Sequence, residues 1–203
     1  TDAAGHARVV DLDDHLDRLA ASAATMDIDD PTHEEWRRLV AQALAAWSTP
    51  GEAVLKLLLT RGREWQTDPR PTALVTITHR GPSPSPDATG ARAEPRTITA
   101  VTLTRGHPSD AFADAPWLLG GVKTLSYVVN AAATREARRR GADDVVFTST
   151  DGYALDGPTS GLLVARDGGF VSTPTGATGI LESLTVAAVM DAARADGHET
   201  RYE

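Results

Sequence analysis

The chain has 203 residues, a formal net charge of −8 and 24% charged residues, with no cysteine. That acidity argues against a general nucleic-acid binder, and the missing thiols exclude disulfides and thiolate metal sites. No apolar run is long enough for a transmembrane helix and "TDAAGHARVV" has no signal-peptide core, so a cytoplasmic protein without a membrane partner is expected.

In chain order, "DLDDHLDRLAASAATM" (11–26) places Leu12, Leu16, Leu19, Ala20 and Ala23 on one helical face, with Asp residues in the first turn where the helix dipole favours them. "PTHEEWRRLVAQALAAW" (31–47) is a second helix, started by Pro31 and Thr32. "EAVLKLLLTRG" (52–62) reads as a buried strand, "TALVTITHR" (72–80) as an alternating one and "RTITAVTLTR" (96–105) as a third. The Pro/Gly/Ser-rich 81–95 is expected as a long exposed loop, making 72–105 a hairpin with an enlarged connection. Residues 106–117 carry no periodicity, and an interdomain linker is expected within them.

The second half changes character. Residues 123–140 are predicted as a helix with Leu125, Val128, Val129 and Ala132 inward, ending in Arg135, Arg138, Arg139 and Arg140 before Gly141. Short strands follow at 143–150, 153–156, 161–166 and 170–173, divided by "DG" turns. Residues 180–197 form a last helix, with Ser183 as N-cap and Gly197 as C-cap. The chain then stops at "HETRYE", just past a helix cap, without the returning strand that should follow, and it starts without an opening element; both ends look cut.

One residue type stands out. Of twenty basic residues only Lys56 and Lys123 are lysine. Lys123 follows Gly120-Gly121 and precedes an amphipathic run. An amine can lose its proton near neutral pH and condense with an aldehyde, and a guanidinium can do neither.

Lys123 before a helix, Asp156 at a strand end before Gly157, and Ser183-Leu184-Thr185 opening a helix, with Arg18 in "HLDRL", together resemble the class IV aminotransferases, the fold-type IV pyridoxal-phosphate enzymes. The resemblance runs from about Asp11 to the last residue. It implies an α/β architecture: a small α+β domain over 1–108, a linker at 109–116 and a cofactor domain over 117–203, with the cofactor in the cleft and a homodimer partner completing the site.

The resemblance also implies roles. Lys123, in "KTLSY", would hold pyridoxal 5'-phosphate covalently and move the substrate α-proton. Asp156, in "ALDGPTSG", would face the pyridine nitrogen in place of the family's glutamate. The amides of Leu184 and Thr185, in "ILESLTV", would cradle the phosphate, and Arg18 would reach it too. Tyr127 would contact the cofactor or sit in the core; Arg61, in "LLLTRG", would bind a substrate carboxylate or form a salt bridge. Ser126, Asp156, Ser183 and Val186 depart from the common pattern.

The substrate is expected to be a small amino compound. The chain is most similar to actinobacterial aminodeoxychorismate lyase-like proteins, which implies elimination of pyruvate from 4-amino-4-deoxychorismate to give 4-aminobenzoate. A transaminase acting on branched-chain or D-amino acids shares these motifs, and a non-catalytic relative is the third reading. The six histidines lack metal-site spacing, so no metal is expected.

Overall fold

Local chemistry sets where the first helices begin. In the computed structural model, which describes residues 7–65, 67, 70–80 and 97–203, α1 spans Leu12–Thr25 and α2 spans His33–Ala45. Thr32 and Glu35 form a reciprocal cap: the Glu35 amide donates to Thr32 Oγ1 at 3.3 Å, and the Thr32 amide donates to Glu35 Oε2 at 2.9 Å. The Thr32 amide first, and then the Thr32 hydroxyl donating to Glu35 Oε2 at 2.9 Å, hold the Glu35 carboxyl below its ordinary pKa. The amphipathic faces bury Leu16 and Ala23 of α1 and Trp36 and Val40 of α2. Burying a side chain such as Leu16 stabilises by about 1.5–3 kcal/mol. Trp36 keeps its indole N–H satisfied on Asp30 Oδ1 at 3.0 Å.

The strands that follow pair differently from the sequence expectation. β1 (Ala53–Thr60) and β2 (Thr72–His79) form an antiparallel pair in register from Ala53↔His79 to Thr60↔Thr72. β3 (Ala100–Thr104) does not continue this hairpin. It runs parallel to β4 (Asp144–Thr148), from Ala100↔Asp144 to Thr104↔Thr148. Asp143 starts that register, since its amide donates to Thr99 O at 2.8 Å while its carboxylate accepts from Thr99 N at 2.9 Å. Apolar alternation marks β3 as a strand but does not encode its partner. β1 is half-buried to exposed along its length rather than a buried strand. The loop expected at 81–95 lies outside the described residues.

The chain divides into two compact units, Thr1–Arg96 and Thr97–Glu203. β3 therefore belongs to the second unit, as do residues 109–116, expected as a linker. That stretch is tied down within the second unit: Ser109 donates to Asp151 through its amide at 2.9 Å and its hydroxyl at 2.7 Å, and Phe112 N donates to Ala177 O at 3.1 Å. The Ser149 hydroxyl, followed by that of Ser109, holds the Asp151 carboxyl down to about 2.

The second unit contains two strand–helix–strand crossovers. β3 and β4 flank α3 (Val128–Arg139). β6 (Gly169–Ser172) pairs in parallel with β7 (Thr200–Tyr202) across α4 (Leu184–Ala195), while β5 (Val164–Arg166) lies antiparallel to β6. β7 is the returning strand that the sequence reading found missing. "YALD" forms only a bridge, Thr148↔Ala154. The core gathers Ala133 and Ala137 of α3 with Ala142, Val145, Phe147 and Leu155, and Val101, Leu103 and Ile180 pack on it. α3 thus turns Ala133 and Ala137 inward: Leu125, Val128 and Val129 are 63%, 75% and 58% exposed, and Ala132 is exposed as well. Small side chains let the helix lie close on β3 and β4, and larger ones face outward.

Candidate active site

In open α/β sheets, ligands gather where chains leave the carboxyl ends of strands and enter helices. Two such passages occur in the second unit, 105–127 between β3 and α3 and 173–183 between β6 and α4. The residues picked out by sequence in this unit lie on or beside them.

Lys123 is on the first passage, upstream of α3 rather than in its first turn, because the helix begins only at Val128. The intervening backbone is held by tight local bonds, Thr124 N to Val122 O at 3.1 Å and Tyr127 N to Leu125 O at 3.0 Å, and Ser126 N donates to Thr124 Oγ1 at 3.3 Å. The turn brings Tyr127 back to the lysine: Lys123 Nζ donates to the phenolic oxygen at 2.8 Å and stands 5.5 Å from the ring centroid. Tyr127 is therefore a partner of the amine and not a core residue.

The two glycines before Lys123 mark a close approach. Gly121 N donates to Gly179 O at 2.9 Å, joining the two passages. The Phe112 ring lies against Gly120 and Gly179: a Cβ on Gly120 would come within 2.5 Å of the ring, and one on Gly179 within 2.3 Å. His107 braces Phe112 edge-on at 5.0 Å between centroids. The lysine passage is thereby fixed against the passage that leads into α4.

At the start of α4, Ser183 caps the helix by accepting from Val186 N at 3.2 Å. Leu184 and Thr185 occupy the first two helical positions, whose amides have no acceptor within the helix. Two N–H groups without an acceptor among the described residues, and the positive end of the dipole, suit a phosphate. Val186 packs with Ser183 against Gly161; a Cβ on Gly161 would lie 2.8 Å from each.

Asp156 stands beside β4, its main-chain carbonyl accepting from Phe147 N at 2.8 Å. Its Oδ1 is buried without a hydrogen-bond partner among the described residues. Burial raises its pKa and the Arg105 charge pulls it back. A buried carboxylate oxygen lacking a donor fits a protonated pyridine nitrogen. With the amine of Lys123 and the amides of α4, the donor set fits pyridoxal phosphate.

Arg18 and Arg61 belong to the first unit. Arg18, half-buried on α1, has His15 Nδ1 at 3.3 Å; a guanidinium can only donate, so that ring nitrogen accepts. Among the described residues Arg61 forms no salt bridge: its guanidinium donates to the main-chain carbonyls of Asp27, at 2.7 Å, and Met26, capping the C-terminus of α1.

Sequence reading missed Arg105, Asn130 and a set of buried hydroxyls. Arg105 follows β3 in "TLTRG", the ending that Arg61 has in "LLLTRG", and its guanidinium lies 4.4 Å from the Phe147 ring centroid. Asn130 is an amide on a half-buried face of α3, a position helices disfavour without a partner, and that was its signal. Thr173 donates to Ala154 O, Ser172 to Leu162 O at 2.7 Å and Thr178 to Pro174 O at 2.6 Å, anchoring the loops around Asp156 and α4. Among the described residues no cluster of His, Asp or Glu could hold a metal, and no helix is long and apolar enough to cross a membrane.

The fold and this donor set define a fold-type IV enzyme scaffold. The amino-transferase class IV profile matches residues 3–203, and the chain belongs to that family. Its members are pyridoxal-phosphate enzymes, and pyridoxal 5'-phosphate is the cofactor. The chain is 42% identical over 197 residues to the bifunctional aminodeoxychorismate lyase / D-amino acid transaminase of Mycobacterium tuberculosis, covering 93% of this chain and 65% of that protein. It is also similar to a fold IV-transaminase from Curtobacterium pusillum (TM-score 0.82, 42% identity, 96% of this chain and 63% of that one). A pyridoxal-phosphate-bound aminotransferase structure from M. tuberculosis gives a TM-score of 0.81 at 41% identity, over 98% of this chain and 67% of that one. The chain thus spans about two thirds of the length of these relatives.

Proposed function

We propose that the protein is a pyridoxal-phosphate-dependent lyase that eliminates pyruvate from 4-amino-4-deoxychorismate, leaving 4-aminobenzoate. The small domain would be the first unit and the cofactor domain the second. When bound, the cofactor supplies an aldehyde that captures amines and a pyridinium ring that withdraws electrons from the substrate α-carbon. Every other task falls to side chains of the protein.

Lys123 Nζ holds the cofactor and then takes the proton from the substrate α-carbon, and the Tyr127 hydroxyl orients that amine through its 2.8 Å bond. Asp156 Oδ1 keeps the proton on the ring nitrogen. The Leu184 and Thr185 amides, the Thr185 hydroxyl and Arg18 bind the phosphate. Arg61, whose guanidinium also serves the end of α1, would bind a substrate carboxylate with its remaining N–H groups. Loss of pyruvate leaves an aromatic ring, which supplies the driving force for elimination.

The observation that carries the lyase reading is the 42% identity to the bifunctional M. tuberculosis protein, which has that activity in its name. A second reading rests on the other half of the same name and on the C. pusillum enzyme: transamination of D-amino acids. Both readings share Lys123, Asp156 and the phosphate site, and part only after the α-proton has left. The exposed apolar side chains of Trp117, Leu118, Leu125, Val128 and Val129 support a homodimer in which a second copy covers them. We place the protein in the cytoplasm.

The deciding experiment supplies purified protein with 4-amino-4-deoxychorismate and, separately, with D-amino acids and a keto acid. Pyruvate and 4-aminobenzoate released in equal amounts without a keto acid are expected. Amino transfer alone would replace the lyase reading with the transaminase, and neither activity in cofactor-loaded protein would leave the non-catalytic reading.

A further inference from the structure

Asn130 joins two parts of the site that its helix would otherwise leave apart. It lies in the first turn of α3, three residues beyond Tyr127. Its Nδ2 donates to Pro158 O at 2.6 Å, and its Oδ1 accepts from Arg105 Nη1 at 3.4 Å. Pro158 is in the turn that follows Asp156, closed by Gly157 N to Ser160 O at 2.8 Å. Asp156 is thus fixed on both sides, by Phe147 N on its own carbonyl and by Asn130 on the turn beyond it. The buried Oδ1 has no donor among the described residues, and the hydrogen bond its carboxyl does have is with its own backbone amide, so the backbone sets its direction.

We propose that Asn130 is a positioning residue: it anchors the turn after Asp156 to α3, so that the carboxylate points at the cofactor's ring nitrogen in register with Lys123 and Tyr127 at the start of the same helix. The inference rests on the reading of Asp156 as the ring-nitrogen partner.

A double-mutant cycle in the intact protein tests it, reading the dissociation constant of pyridoxal phosphate by titration of apo-protein. Asn130→Ala is expected to weaken binding about fivefold, the scale of one lost hydrogen bond, and Asp156→Asn about tenfold. The double variant should match Asp156→Asn within about twofold, because Asn130 acts only through that carboxylate. Asn130→Asp keeps an acceptor for Arg105 but cannot donate to Pro158, so it should bind no better than Asn130→Ala; being nearly isosteric, it serves if Asn130→Ala fails to fold. Losses that multiply in the double variant would make Asn130 a general structural residue and overturn the proposal. So would wild-type affinity in either Asn130 variant. If Asp156→Asn alone binds as tightly as wild type, the role given to Asp156 fails and this inference with it; wild-type protein that binds no pyridoxal phosphate would instead overturn the functional reading itself.

Discussion

Lys123 Nζ and the Tyr127 hydroxyl meet at 2.8 Å across a turn that is not helical. Four residues apart, they would also be neighbours on a helix, but here the contact is made by the irregular Val122–Tyr127 backbone, which leaves the amine exposed ahead of α3. The pair therefore depends on this passage and not on helix formation.

Lys123→Ala should abolish covalent attachment of the cofactor while the fold persists, since the side chain is exposed. Borohydride reduction followed by peptide mass analysis measures it. Attachment found on Lys56 would reassign the amine. Tyr127→Phe keeps the ring and loses the hydroxyl; attachment should survive with kcat/KM down about tenfold, the scale of a hydrogen bond to a charged group.

Asp156 gives a pH-dependent test. Burial raises its pKa above the ordinary 3.8, with Arg105 opposing. A carboxyl that protonates more readily folded than unfolded contributes its full stability below the unfolded pKa and loses it as pH climbs through the folded value. Wild-type apo-protein should therefore lose stability relative to Asp156→Asn as pH rises from the ordinary 3.8 toward neutrality. Added pyridoxal phosphate should narrow that gap, because a ring N–H supplies the missing donor. Thermal unfolding of both proteins across that range measures it; a gap independent of pH would mean that Asp156 is not strained by its burial.

The sequence made the helices and most strands legible because their signals are local: Thr32 with Glu35 for a cap, Ser183 before α4, apolar alternation along β2. Pairing was not legible. Nothing within 96–105 distinguishes a strand that returns on β2 from one that runs parallel to β4, and the contact that decides it, Asp143 on Thr99, is 44 residues away in sequence. For the same reason the valines of α3 were assigned inward, when alanines at 133 and 137 face the strands. At the candidate site, Lys123 stood out as one of only two amines, and Asp156 only through the motif resemblance. Arg105, Asn130 and Phe112 were not, because each matters through what it touches.

Phe112 provides a packing test. A Cβ on Gly179 would sit 2.3 Å from the ring at a φ of +71°, so Gly179→Ala meets both a clash and left-handed backbone strain. It should cost about 1–3 kcal/mol of stability from overpacking alone and weaken cofactor binding, since Gly179 O holds the lysine passage through Gly121 N. Adding Phe112→Ala removes the clash, and the double variant should be less destabilised than the sum of the two. Denaturant unfolding of the four proteins measures this; additive losses would mean that the ring and the glycine do not share the space.

Arg18 tests whether the first unit serves the phosphate. Arg18→Ala should weaken pyridoxal phosphate by roughly ten- to a hundredfold, because a charge-assisted hydrogen bond contributes about 1.5–3 kcal/mol. Attachment to Lys123 should recover at saturating cofactor, since the amine is untouched. Arg18→Lys should restore only part of the affinity, a compact ammonium lacking the guanidinium fork. Loss of the contact to His15 Nδ1 removes little by itself, because such a pair on a helix contributes a few tenths of a kcal/mol. The two origins of any effect therefore separate by size and by readout: a helix contact changes the unfolding midpoint of apo-protein slightly and leaves the dissociation constant alone, whereas a phosphate ligand moves the dissociation constant tenfold or more. Titration of apo-protein with cofactor, beside its thermal unfolding, measures both. Wild-type affinity in Arg18→Ala would confine Arg18 to α1 and leave the phosphate to the amides of Leu184 and Thr185.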